Sequence, residues 1–394
     1  MKMFTGVSGN VWRMGACQAL MMTVMNVNLT NTALVGSLLA PLPWLITLPV
    51  SIQFIAVMVA TIPASLLMAH FGRRLIFLIG VLMVTVGAFG QALSILTESF
   101  APLVISSFLL GLGQGVAQFY RYAAADVAQG AEKAKAVSFV LLGGLASAII
   151  GPEIAYRTVD LLPNSLYAGC FIVTGLVQMI AIPIIWGLDI PPVKRQKQQG
   201  QPFTKFFQMP SFLSGLIAAA LGYCIMTFLM TATPLQVVDV SRLSHEANAR
   251  VIQWHVVAMF APSLFSGVLI AKLGVGKILW SGLACYVAAS IIALSGTGFY
   301  IYLGALIFLG IGWNFLYVGG SSVIANSASP EERGRVQGIA DFCIFSVVAI
   351  ASMLSGMAHS ELGWAVMMMI AFAPIFLISV ALIIGKPKLT NQSA

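Results

Sequence analysis

Apolar runs recur along this chain, each close to the roughly 20 residues that an α-helix needs to cross bilayer hydrocarbon, and short polar or Gly/Pro-bearing breaks divide them. In order, they predict helices over 12–38, 43–69, 75–96, 101–126, 136–158, 166–188, 211–236, 249–271, 278–297, 299–325, 337–358 and 363–385. The runs are continuously apolar, not alternating, which excludes the strands of a membrane barrel. The expected fold is therefore an all-α membrane protein of twelve transmembrane helices, which the polar stretch and internal repeat described below divide into two pseudo-symmetric six-helix bundles.

Composition agrees: 59% of the 394 residues are hydrophobic and 8% are charged, against about 25% charged in soluble domains. Charge then orients the helices. With both termini cytoplasmic, the inner loops receive Lys2, Arg13, Arg73, Arg74, Lys133, Lys135, Lys194, Arg195, Lys197, Lys205, Lys272, Lys277, Arg333, Arg335, Lys386 and Lys388. Arg157, Arg242 and Arg250 fall outside, and Arg121 lies within helix 4. This asymmetry is the positive-inside pattern and predicts a multi-pass protein of a bacterial inner membrane. The net charge of +8 is spread thinly over the loops, so it marks topology and not a nucleic-acid-binding arm. The first apolar stretch outruns a signal-peptide core and lacks a prompt cleavage site, so helix 1 is expected to be retained. Five cysteines stand singly in apolar helices, without metal-ligand or disulfide spacing. Neither a metal nor a cofactor is expected.

One long polar stretch, Asp189 to Pro210, is basic, Gln-rich and punctuated by proline. It divides the chain into an N-terminal bundle over 1–188, a cytoplasmic linker over 189–210 and a C-terminal bundle over 211–394. The halves match at an offset of about 200 residues, an internal repeat of the kind transporters use. HFGRR ending at Arg74 answers KLGVGK ending at Lys277, LGLGQ from Leu110 answers LGIGW from Leu309, and AEKAK from Ala131 answers EERGR from Glu331.

The stretch SLLMAHFGRR from Ser65 to Arg74 resembles the major facilitator superfamily signature between helices 2 and 3, and GVLIAKLGVGK from Gly267 echoes it between helices 8 and 9. PEERGRVQG from Pro330 is similar to that family's loop before helix 11. The resemblance implies a secondary transporter, not an enzyme, with the solute bound between the halves and helices 1, 4, 7 and 10 bordering the cavity. The departures bear on mechanism. Ala69 and Ala271 hold the acidic position, Ser65 replaces a leading glycine, and Gly111 stands where many proton antiporters carry arginine.

Ionisable and polar groups inside a bilayer are costly, so each is a candidate for function. On helix 4, Gln114, Gln118 and Arg121 follow i, i+4, i+7 and share one face, where Arg121 would clamp an anionic group. Snorkelling of Arg121 to the interface is the alternative. Asn26 and Thr30 on helix 1, Tyr223, Thr227 and Thr231 on helix 7, and Trp313 and Asn314 on helix 10 complete the expected cavity set. Plain interhelical hydrogen bonds are their alternative. Asp126 lies about 140° around the helix from Arg121, so its expected partner is Arg73 or Arg74. With Asp341 contributing from helix 11, these groups form an expected cytoplasmic gate. Glu153, which follows Gly151-Pro152, is the first candidate for proton coupling, with an ion pair to Arg157 at i+4 as the alternative. Asp341 and His255 follow as candidates, the histidine more simply bonding a neighbour such as Gln53.

The expected function is proton-coupled transport of a small organic solute, with export favoured by the Gly-Pro feature. The alternative is proton-symport uptake of a nutrient such as a vitamin-like heteroaromatic or an organic acid, supported by Gly111. The expected partners are the solute, protons and the lipid bilayer, with no nucleic acid, and a monomer is expected.

Overall fold

Helices account for the regular structure throughout, as the apolar runs require, and no strand occurs among the described residues. The computed structural model describes residues 8–128, 132–190, 204–329 and 332–387. Most of the linker expected over 189–210, and the loop charges Lys2, Lys194, Arg195, Lys197 and Lys388, lie outside them.

The chain divides into two compact units, Met1–Gln196 and Lys197–Ala394. The first holds α1 (Gly9–Leu39), α2 (Leu48–Phe71), α3 (Arg73–Leu96), α4 (Phe100–Ala117), α5 (Tyr120–Val127), α6 (Glu132–Arg157), α7 (Ala168–Met179) and α8 (Ala181–Trp186). The second holds α9 (Thr204–Phe207), α10 (Pro210–Pro234), a π-helical segment Leu235–Val240, α11 (His245–Phe260), α12 (Ser263–Leu273), α13 (Val275–Leu294), α14 (Phe299–Asn326), α15 (Arg333–Ile370) and α16 (Phe372–Gly385).

Internal pairing repeats. In the first unit α1 packs along α6, α3 along α4 and α7, and α2 along α4. In the second, α10 packs along α15, α13 along α14 and α16, and α11 along α14. The matched signatures carry matched backbone: Gly72 ends α2 at φ 84°, and its counterpart Gly274 ends α12 at φ 86°. Both adopt the positive φ that a side chain resists, so a glycine at each turn between helices is a steric requirement.

Eight segments are long and apolar enough to cross a membrane, and a ninth is the pair α11 and α12, bent by 42°. One of the eight, Val336–Gly385, contains two helical stretches either side of Gly363, whose φ of 78° makes a sharp kink. Helix α1 is 31 residues long yet stands outside this set, because Gln18, Asn26, Asn28 and Asn31 interrupt its apolar run. The twelve-helix expectation counts α1 and α6 as crossings and divides Val336–Gly385 in two. Large apolar side chains such as Ile62, Leu66, Ile105 and Ile384 are exposed, which suits a surface whose solvent is lipid.

Several expected helices are interrupted, helix 12 among them, which breaks at Ala371 ahead of Pro374. Helix 4 breaks at Gln118–Phe119, where Phe119 N–H bonds Val116 O three residues back, so the i, i+4, i+7 argument does not run unbroken through Arg121. Helix 6 breaks at Ile180, ahead of Pro183, and helix 8 breaks at Ala261–Pro262; proline removes an N–H from the ladder in each case.

Candidate functional site

The densest aromatic arrangement among the described residues lies in the second unit. Trp313 and Tyr317, one helical turn apart on α14, stack with centroids 5.0 Å apart and planes at 10°. Tyr223 of α10 sets its ring edge-to-face against both, at 5.3 and 5.5 Å, and Phe345 of α15 lies 5.9 Å from Tyr223. Phe260, at the end of α11, reaches Trp313 at 6.0 Å. Such contacts require α10 and α14 to approach closely, and Gly222 permits it: a Cβ there would meet the Leu316 Cβ at 2.9 Å.

Polar atoms border these rings. Trp313 is 6% exposed, yet its indole N–H has no acceptor among the described residues. The hydroxyls of Thr227 and Thr231, one and two turns beyond Tyr223 on α10, are buried and likewise without partners. Asp341 lies one turn before Phe345 on α15. An unbonded buried N–H costs about 1–3 kcal/mol, so these groups are left with hydrogen-bonding capacity to spare.

Several other expected cavity residues are committed elsewhere. Asn314 donates to Met259 O at 2.7 Å and to Ser263 Oγ at 2.6 Å, and accepts from Ser266 Oγ at 2.7 Å. It bridges the break between α11 and α12, satisfying a carbonyl that the interrupted helix releases. Asn26 donates to Ser147 on α6 at 3.2 Å, and the Thr30 hydroxyl bonds back to Asn26 O at 2.7 Å. These are interhelical and intrahelical bonds, the alternative that the sequence left open. Gln114 is buried with its amide nitrogen unbonded, Gln118 lies at the helix break, and Arg121 bonds the Tyr122 hydroxyl at 3.1 Å while lying over that ring.

The gate residues of the first unit do meet. Arg73 and Asp126 form an ion pair at 2.5 Å, with the Arg73 side chain 8% exposed and Asp126 half exposed. Arg74 instead stacks over Trp186 at 5.1 Å. Asp341 belongs to the second unit, at the first turns of α15. Glu153 bonds Arg157 at 2.5 Å in the expected i, i+4 pair, and the arginine is largely exposed. His255 is buried and gives its Nδ1–H to Leu306 O at 2.7 Å. Gln53, in the first unit, donates to Asn28 at 3.3 Å.

Asn28 was not singled out from the sequence, but it is the polar hub of the first unit. Its Oδ1 accepts from Gln53, from Gln91 at 2.9 Å and from Thr32 at 3.0 Å, tying α1 to α2 and α3. The signal available was the density of Asn and Thr on helix 1, which does not say which of them converge.

The Major Facilitator Superfamily sequence model matches residues 14–261 and 243–393. The chain belongs to the Major Facilitator Superfamily. It is a multi-pass membrane transporter and not an enzyme. It is 36% identical over 389 residues, 98% of each chain, to the riboflavin transporter RfnT of Brucella anthropi. It is 28% identical over 313 residues, 74% of this chain and 72% of the other, to the uncharacterized MFS-type transporter YddS of Bacillus subtilis. Among solved structures, a bacterial homologue of the human lysosomal transporter Spinster superposes with TM-score 0.74 at 14% identity, covering 97% of this chain and 98% of that one. The nucleoside transporter NupG gives TM-score 0.74 at 13% identity, covering 95% and 99%. At these identities the two structures speak to the superfamily fold alone.

Proposed function

We propose that this superfamily member imports a planar, vitamin-like heteroaromatic of the riboflavin class by proton symport, across a bacterial cytoplasmic membrane with both termini inside. The observation that carries the reading is the 36% identity to a riboflavin transporter along 98% of both chains. The aromatic group around Tyr223 and Trp313 supports it, because a fused ring system with carbonyl and ring-nitrogen acceptors complements π faces bordered by an unbonded indole N–H. Thr227 and Thr231 supply further hydroxyls, and Gln114 on the helix-4 segment supplies an amide nitrogen. In this reading Arg73 and Asp126 stabilise the cytoplasm-closed state, with Asp341 contributing, in place of the acid absent at Ala69.

Export is the second reading, favoured by Gly151-Pro152. Gly151, however, has a packing role: a Cβ there would meet the Asn26 Cβ at 2.5 Å, so the glycine lets α6 close on α1 whatever the direction of transport. Expression in a riboflavin-requiring bacterium lacking its own importer tests the proposal. Growth on micromolar riboflavin supports uptake; lower intracellular flavin than in the empty-vector strain overturns it in favour of export.

A further inference from the structure

At the end of α10 the helix widens. After Pro234, Leu235–Val240 forms a π-helical turn, Ser241 N–H bonds Gln236 O five residues back, and Arg242 takes a left-handed conformation at φ 55°. Insertions of this kind cost backbone energy and cluster at functional sites. Here the wide turn aims the buried side chain of Gln236 at two other helices. Its Oε1 lies 3.0 Å from Nε2 of His359 on α15, and its Nε2 lies 2.9 Å from the hydroxyl of Tyr302 on α14. The chain ends at Ser241 Oγ, 2.6 Å from that hydroxyl. Four residues beyond His359, Gly363 makes the kink of α15.

The polarity of this chain depends on one proton. When Nε2 of His359 carries hydrogen it donates to the Gln236 oxygen, the amide N–H donates to Tyr302, and the Tyr302 O–H is left for Ser241. When Nε2 is bare the amide must turn, and every bond reverses: amide N–H to imidazole, Tyr302 O–H to amide oxygen, Ser241 O–H to Tyr302. An imidazolium permits the first arrangement alone. Asp239 stands on the same π-helical turn as Gln236. On α14 the titratable group in reach is Tyr302, and on α15 itself exposed Glu361 follows two residues later. The α13 tyrosine, Tyr286, is committed to the Gly222 carbonyl, and α16 carries no ionisable side chain.

We propose that His359 is a proton-binding site of the transport cycle, whose occupancy sets the direction of the His359–Gln236–Tyr302–Ser241 chain and so ties the ends of α10 and α14 to α15. On the charge-derived topology this end of the second unit faces outward, where an importer takes up its proton. The inference rests on proton-driven transport and not on the identity of the solute.

Two measurements test it on the full chain. The protein has four histidines, so histidine-selective 13C/15N labelling in nanodiscs isolates the His359 resonance by its loss in His359→Gln. It should titrate between about pH 5 and pH 8. A resonance unchanged from pH 5 to pH 8 overturns the site.

In proteoliposomes with an inward gradient of one pH unit, one-proton symport can accumulate riboflavin about tenfold. His359→Gln should bring this to equilibration while riboflavin counterflow stays within about twofold of the unsubstituted protein. Full gradient-driven accumulation in His359→Gln overturns the coupling role. Should His359→Gln misfold and lose counterflow, Tyr302→Phe decides: a moved His359 midpoint supports the chain, and an unmoved one overturns it. If the unsubstituted protein shows counterflow without accumulation, the proton-driven reading fails, and the coupling role of His359 with it. If it shows neither, the solute assignment fails, and the resonance titration still decides the proton site.

Discussion

Replacing Trp313 by phenylalanine separates a ring-binding site from a packing cluster. Phenylalanine keeps an aromatic face against Tyr317 but removes the indole N–H, which is buried without an acceptor. In the solute-free protein that N–H is a liability of about 1–3 kcal/mol, so its removal offsets much of the lost ring area, and Tm should move little. In the complex the same group would donate to a flavin carbonyl or ring nitrogen, and its loss forfeits that bond. With 1.4 kcal/mol to each factor of ten, Kd for riboflavin should rise about tenfold. Quenching of flavin fluorescence, titrated with purified protein in nanodiscs beside a thermal melt, reads both numbers. An unchanged Kd together with a lowered Tm would refute the reasoning, because Trp313 would then be a packing residue only.

Three further outcomes follow from the geometry. Asn28→Ala strands donors from Gln53, Gln91 and Thr32; at about 0.6 kcal/mol for an average membrane hydrogen bond the loss is about 2 kcal/mol, seen as a lower Tm in detergent. Asp126→Ala leaves the buried Arg73 guanidinium without its carboxylate and should cost about 2 kcal/mol, below the range for fully buried pairs because Asp126 is half exposed; a melt within one degree of the unsubstituted protein contradicts this. Glu153→Gln should keep gradient-driven accumulation within about twofold, since Glu153 is already engaged in an i, i+4 pair with the exposed Arg157, a contact that contributes at most about 1 kcal/mol; collapse of accumulation would return Glu153 to the coupling role.

Where the sequence was informative, the reason lies in short-range constraint. The turns at Gly72 and Gly274 could be read because a helix-to-helix reversal demands positive φ, and their neighbours repeat with them. The partnership of Arg73 with Asp126 was legible because helical angle excluded Arg121 as the alternative. The pairing of Glu153 with Arg157 needed only four residues of spacing. Less legible was anything that depends on which helix lies opposite. Asn314 sits on a cavity-bordering helix by sequence, but its amide answers a break in α11 and α12 that becomes visible only when Met259 O is seen without its helical partner. Likewise Gln236, Tyr302 and His359 converge across separations of 66 and 123 residues, with no periodicity to connect them. On helix 4 the spacing argument is interrupted for a local reason: the ladder tightens at Phe119, so spacing counted through Arg121 no longer measures one face.

The central claim is gradient-driven uptake of a riboflavin-class solute, and the most direct measurement is accumulation of radiolabelled riboflavin in proteoliposomes of the unsubstituted protein under an imposed inward proton gradient. Saturable accumulation above the external concentration, abolished by a protonophore and competed by unlabelled flavin, is the expected result. Uptake no greater than in protein-free liposomes, with no flavin binding to the purified protein, would contradict it.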